Sequence, residues 1–204
     1  MTIKVLGLST SPRANGNSDL LLRQALAGAQ SAGASAEYIK LSDLNIAPCS
    51  ECNSCYTTGT CRIEDDYQML SGKLLNTDRL IFATPIFFMS VCAQAKALID
   101  RSQCYWAHKY VLKKQFDVKQ DRRAMVIAVG GSKSTKMFES IRLTMKSYFD
   151  ALEMQYVANL FVNKVSDAGQ IQKHPSAMKE TFRLGKELIT ISTLPERPID
   201  IELT

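Results

Sequence analysis

No apolar run in the 204 residues approaches the roughly 20 needed to cross a bilayer, so a membrane-spanning helix is not expected. Met1-Thr-Ile-Lys lacks the layout of a signal peptide, and a cytoplasmic, reducing location is the expectation. There is no Gly-x-x-x-x-Gly-Lys run and no Gly-x-Gly-x-x-Gly, which argues against a nucleoside triphosphate or a Rossmann-bound dinucleotide. Histidine is scarce: His108 and His174 are the two present, and neither has a visible partner for a nucleophilic triad. Internal repeats and low-complexity segments are also missing. The net charge is a mild +5, which permits an acidic partner or an anionic ligand without demanding nucleic acid. An apolar fraction of 46% with 22% charged residues is that of a globular chain, and the length suits one domain over residues 1–204.

Cysteine is sparse except in one stretch. Four of the six fall in Pro48-Cys49-Ser-Glu-Cys52-Asn-Ser-Cys55-Tyr-Thr-Thr-Gly-Thr-Cys61, with two, two and five residues between them. Three thiols spaced every third residue can converge on one small body, and Gly59 relaxes the longer gap so that a fourth can close it. Iron–sulfur clusters use runs of this kind. Zinc sites more often pair two separated Cys-x-x-Cys knuckles, and disulfides belong to exported chains. A loop of unliganded thiols is the remaining alternative for residues 48–62. Cys92 and Cys104 read as packed thiols on helices.

Ile3–Ser9 reads as a buried parallel strand running into the polar loop Thr10–Ser18. A helix follows, with Leu21, Leu22, Ala25, Leu26 and Ala29 at helical spacing and Ser18 as its expected N-cap. Strand, hydroxyl-rich loop and helix together suit a phosphate monoester, which backbone N–H groups, the helix dipole and hydroxyls can hold. An ordinary polar turn is the alternative. Ala36–Leu41 reads as a second strand, and Asp65 and Asp66 are expected to cap a helix through Tyr67, Met69, Leu70 and Leu74. Arg79–Thr84 reads as a third strand, ending in the apolar loop Thr84-Pro85-Ile86-Phe87-Phe88-Met89-Ser90. Those apolar side chains either cover a planar aromatic ligand or are plain core or interface residues.

A helix is expected over Ala93–Ser102. The run Arg123–Gly131 reads as a fourth strand whose Gly130 and Gly131 let backbone approach a ligand. Phe138, Ile141, Met145, Phe149 and Leu152 form one helical stripe, Met154–Val162 a fifth strand, and Met178, Phe182, Gly185 and Ile189 a last helix. Residues 191–204 are expected as a tail that docks on a neighbour. The predicted fold is α/β, a three-layer sandwich with a five-stranded parallel sheet and a binding edge at the strands' carboxyl ends. Between Tyr105 and Arg123, aromatics mix with Lys109, Lys113, Lys114, Lys119, Arg122 and Arg123. A solvated surface or subunit contact, or a dock for an acidic donor or a nicotinamide phosphate, is expected ahead of a nucleic-acid site.

The four loops together resemble the flavodoxin-like FMN reductases and, within them, the iron–sulfur flavoproteins. The matching pieces are Ser11-Pro-Arg13 with Gly16-Asn-Ser18, the four-cysteine loop running into Asp65-Asp66, Thr84–Ser90, Lys96–Arg101 and Gly130-Gly131-Ser132. The resemblance implies a flavodoxin-like fold and FMN, with the phosphate at Ser9, Ser11, Arg13, Asn15, Asn17 and Ser18. It implies that Thr84, Pro85, Ile86, Phe87, Phe88, Met89, Gly130 and Gly131 hold the ring. A [4Fe–4S] cluster on Cys49, Cys52, Cys55 and Cys61 would relay electrons to or from the flavin. A homodimer or homotetramer with sites at subunit boundaries, and a ferredoxin-like protein or NAD(P)H as donor, are further implications. No nucleic acid or membrane partner is implied. The alternatives are a cluster-free NAD(P)H-dependent FMN or quinone reductase, and a non-enzymatic electron carrier or zinc-stabilised binding module. Two departures stand out: Thr10 replaces the usual glycine, and Phe87 replaces a common tyrosine.

Overall fold

A computed structural model describes residues 2–204. Six parallel strands run in the order β2 (Ser35–Lys40), β1 (Lys4–Ser9), β3 (Arg79–Phe87), β5 (Arg123–Val129), β6 (Gln155–Val162) and β7 (Ile199–Leu203). A two-residue strand, β4 (Ser90–Val91), folds back antiparallel on the end of β3. The five expected strands are present in the flavodoxin-like order, which reverses direction at β1.

The sixth strand corrects the sequence reading. Residues 199–203 were expected within a docking tail, yet they pair in parallel with β6 of their own chain. Their alternation explains it: Ile201 and Leu203 pack on the core, while Asp200 and Glu202 pair with Arg142. An edge strand with charges on one side is also protected against pairing with other chains.

The sheet divides the core by residue parity, as the pleat requires. Val5, Ile81, Met125 and Ile127 face α1 (Asn17–Ser31) and α7 (Ala177–Thr190). Leu6, Leu8, Phe82 and Val126 face α3 (Tyr67–Asn76), α4 (Ala93–Arg101), α5 (Gln103–Trp106) and α6 (Met137–Ala151). Among the described residues no helix is long and apolar enough to cross a membrane.

Helix α1 starts two residues earlier than expected. Gly16 is its N-cap, and Ser18 lies inside the first turn. A side chain at Gly16 would collide with Ser11 Oγ, so the loop closes over this position only without a Cβ.

Helices α1 and α7 touch backbone to backbone. A Cβ on Gly28 would strike the Phe182 carbonyl, and one on Gly185 would strike the Ala25 carbonyl. Helical Gly→Ala normally stabilises by about 0.5–1 kcal/mol, and Gly72→Ala, in open space on α3, should do so. Gly185→Ala should instead destabilise by about 1–3 kcal/mol through overpacking. Denaturant melts of the two variants check this opposition of sign.

Candidate functional site

The carboxyl edge of the sheet carries a cavity of about 370 Å³. Ser11 and Arg13 line it from the β1–α1 loop, Asn17 and Ser18 from the first turn of α1, Pro85, Ile86 and Phe87 from the end of β3, and Gly130 and Gly131 from just after β5. Nine of the fourteen residues expected around the flavin therefore share one concave space. The other five stand apart. Ser9 is buried behind the loop, Asn15 is exposed with φ 51°, and Thr84 turns its hydroxyl to the Pro85 carbonyl at 2.8 Å. Phe88 and Met89 form the β3–β4 turn with φ of 47° and 63°, and Phe88 is fully exposed. Left-handed backbone at two bulky residues is uncommon and costs strain, which Ser140 offsets by donating to the Met89 carbonyl.

One wall was not legible in the sequence. Val165 and Ser166, from the loop after β6, complete the cavity, and a Cβ on Gly131 would collide with Ser166 Oγ. The same loop occupies two side chains expected to face a phosphate. Arg13 Nη1 donates to the Ser166 carbonyl at 3.1 Å. The Asn17 amide donates to the Asp167 carbonyl at 2.9 Å and accepts from the Ile171 N–H at 3.2 Å. Asn17 thus fastens two loops together, since both ends of its amide are engaged.

Ser18 is different. Its hydroxyl is buried on the cavity wall and has no hydrogen-bond partner among the described residues. It sits in the first turn of a 15-residue helix with no side-chain cap, where backbone N–H groups lack intrahelical acceptors. An orphaned buried hydroxyl beside unpaired N–H groups fits an anionic oxygen ligand. Thr10, in place of the usual glycine, is buried and ties β1 to β3 through two bonds to the Ala83 carbonyl, at 2.9 and 3.0 Å.

The four loop cysteines line a second cavity of about 570 Å³, together with Arg101, Cys104 and Tyr148. All six cysteines are free. Cys49 and Cys52 are exposed, whereas Cys55 and Cys61 are partly buried against the core. A short helix, α2 (Cys55–Thr58), turns the loop and ends at Gly59 with φ 76°, a conformation that glycine adopts freely. Glu51 and Asn53 also have positive φ, of 53° and 59°. Among the described residues no three His, Cys, Asp or Glu side chains are grouped at metal-binding geometry. Four thiols facing one space nevertheless fit an iron–sulfur cluster in donor type and number. Tyr56 and Trp106 line the same cavity, with ring centroids 6.1 Å apart.

Asp65 and Arg101 close the neck of this loop. Their side chains are 6% and 0% exposed, and Arg101 Nη1 lies 2.6 Å from Asp65 Oδ2. Asp65 also accepts the Ala47 N–H and the Tyr67 N–H, both at 2.9 Å. It therefore caps α3 as expected, while Asp66 instead accepts the Asn45 N–H at 2.6 Å. Burial would raise the Asp65 carboxyl, but the Arg101 and backbone hydrogen bonds outweigh it and hold the group below the ordinary carboxylate range. Burial pushes the Cys104 thiol up to about 11. Hydrogen bonds from Ser54 hold Cys52 below its usual value, and burial raises Cys55. Arg101 was in the sequence only as part of a motif; nothing local marks it as the partner of a loop 36 to 54 residues away.

The basic stretch is smaller than its sequence suggests. Arg122 is buried and donates to the carbonyls of Thr77, Leu152 and Leu74, with no carboxylate among those acceptors. Arg123 and Arg79 share Asp121, Lys119 pairs with Asp78, and Lys109 pairs with Asp150. Phe116 stacks on His108 at 4.3 Å. Lys113 and Lys114 remain exposed.

Comparison with known proteins follows the same lines. A family model described as NADPH-dependent FMN reductase matches residues 3–167. The chain is 42% identical over 101 residues to an iron–sulfur flavoprotein of Methanocaldococcus jannaschii, covering 50% of this chain and 52% of that one. It is 30% identical over 132 residues to the iron–sulfur flavoprotein of Methanosarcina thermophila, covering 65% of each. The matches thus span about half to two thirds of these relatives' length. Among solved structures, the NAD(P)H:quinone oxidoreductase from Methanothermobacter marburgensis superposes with a TM-score of 0.72 at 17% identity, over 92% of this chain and 98% of that one.

The neck yields a stability prediction. Asp65→Asn leaves Arg101 charged, buried and without its carboxylate, and should cost about 3–5 kcal/mol. In the wild type, the contribution of the depressed Asp65 pKa is present above the unfolded carboxyl value near 4 and is lost as pH falls through the lower folded value. Denaturant melts from pH 7 to 3 should show a constant gap between wild type and variant that begins to narrow only below about pH 4.

Proposed function

Because the chain belongs to the NADPH-dependent FMN reductase family, we propose that it is an FMN-dependent oxidoreductase whose cysteine loop carries a [4Fe–4S] cluster. The observation that carries this reading is that four loop thiols line one cavity, separate from the cavity at the sheet's carboxyl edge. Relatives at 30–42% identity that bear the name iron–sulfur flavoprotein support it.

In this reading Ser11 and Ser18 hydroxyls and the first-turn N–H groups of α1 hold the FMN phosphate. Arg13 lends its charge while tethered to Ser166. Pro85, Ile86 and Phe87 on one side and Gly130 and Gly131 on the other admit the ring, because the glycines carry no side chain into the space. Cys49, Cys52, Cys55 and Cys61 ligate the cluster, with the two exposed cysteines closing toward the two anchored ones. When bound, FMN exchanges electrons singly or in pairs and the cluster one at a time, which suits a step between one-electron and two-electron partners. No acid–base side chain is required of the protein, whose part is binding and tuning.

The protein acts as a homo-oligomer in the cytoplasm, and the exposed Phe88 on its strained turn suits a subunit contact. Its donor is NAD(P)H or an acidic ferredoxin-like protein; Lys113 and Lys114 are the exposed cations left for the latter. A cluster-free NAD(P)H-dependent reductase is the second reading, favoured by the ungrouped thiols.

Two outcomes test the assignment. Ser18→Ala removes an unsatisfied buried hydroxyl, so the flavin-free protein should be no less stable, yet FMN should bind roughly tenfold more weakly. Equal affinity would move the phosphate elsewhere. Cys61→Ala should leave FMN bound while reduction by a one-electron donor slows and direct reduction by a nicotinamide survives. Rapid-mixing kinetics with both reductants on FMN-loaded protein separates the two readings: rates indifferent to Cys61 favour the cluster-free reductase.

A further inference from the structure

One side chain shuts the neck of the cysteine loop. Arg101 leaves the end of α4 with its guanidinium fully buried, and each of its three nitrogens is engaged. Nη1 donates to Ala47 O at 2.9 Å and to Asp65 Oδ2 at 2.6 Å. Nη2 donates to Ile63 O at 2.9 Å and to Asp65 Oδ1 at 3.1 Å. Nε donates to Cys61 Sγ at 3.1 Å. These bonds use all five N–H donors that an arginine has. Ala47 precedes the first loop cysteine and Ile63 follows the last, so one planar group spans both ends of the segment. The Tyr67 ring lies 4.5 Å from the guanidinium carbon and completes its enclosure. A lysine could supply the charge but not the fork.

We propose that Arg101 is the positioning residue of the metal centre: it presents Cys61 as the preset ligand and, through Nε–H, makes the reduction potential of a cluster bound there more positive. The inference rests on the reading of the loop as a cluster site. A hydrogen bond to a ligand sulfur draws electron density from it and favours the more electron-rich, reduced state. This donor is cationic and cannot swing away, because its other four N–H groups are committed to the loop neck. Asp65 offsets part of the charge but not the directed bond. Cys49 and Cys52 are exposed, whereas Cys61 is partly buried and held by the Nε–H bond.

Arg101→Lys keeps a cation beside Asp65 and removes Nε–H and the fork. The double variant Asp65→Asn/Arg101→Gln removes both charges, so no buried charge is stranded if the lysine variant fails to fold. Wild type and variants are purified anaerobically and reconstituted with iron and sulfide; iron, sulfide and FMN are counted, and the midpoint potential is read by spectroelectrochemical titration. Amide hydrogen exchange over residues 46–64 is followed in cofactor-free samples. Both variants should bind FMN as the wild type does and show a midpoint potential shifted negative. Exchange over 46–64 should be roughly tenfold faster. A variant that binds FMN but no longer takes up iron also supports the positioning role. An unchanged potential in a variant that binds FMN and iron overturns the proposal, because Arg101 is then structural only. Wild-type protein that takes up no iron sinks the cluster reading instead; exchange in the cofactor-free protein then still judges the clasp, and unaltered exchange overturns it.

Discussion

A buried guanidinium must find an acceptor for every N–H it carries, and at Arg101 that requirement organises the cysteine loop. Four of its five acceptor atoms lie in the loop's flanks and the fifth is a loop sulfur, so satisfying the cation and shaping the loop are one event. Asp65 makes the burial tolerable. Its carboxylate takes the fork, the Ala47 N–H and the first N–H of α3, so the helix start and the loop neck share a single anion. Remove either charge and the other is left in a medium that penalises it heavily. The loop is therefore held at both flanks, with Cys55 and Cys61 packed against the core and Cys49 and Cys52 exposed.

The second cavity follows from a different constraint. Parallel strands end together, and the reversal of strand order at β1 leaves a crevice that no helix fills. The chain closes it on three sides with short loops and on the fourth with the loop after β6, stapled across by Arg13 and Asn17. The staple engages the polar ends of Arg13 and Asn17 with the loop after β6 and leaves Ser18 as the open hydroxyl of the cavity wall. The two cavities share no lining residue. The two cavities are thereby housed apart, one against the α4–α6 face and one at the sheet edge.

Much of this was legible where the signal is local. Buried apolar runs mark β1, β3 and β5, helical stripes mark α1 and α6, and the cysteine spacing marks the loop. Sequence also identifies nine residues of the carboxyl-edge cavity, because they cluster at strand ends. What escaped is non-local. Strand β7 is short and rich in acidic residues, and Arg142 and Asn159, far off in sequence, make that composition sensible in a sheet. Arg122 looks like surface charge beside four lysines, yet its direction is set by carbonyls of residues 74, 77 and 152. Ser166 and Arg101 act across long separations, and no periodicity encodes a partner at such range.

The proposed function requires one chain to hold both FMN and a four-iron cluster. Iron, sulfide, zinc and flavin counted in parallel on wild-type protein purified without oxygen tests it most directly. The account predicts iron and sulfide in equal amounts, in about fourfold excess over FMN, with zinc absent. Full FMN with no iron even after anaerobic reconstitution, or zinc without flavin, would contradict it.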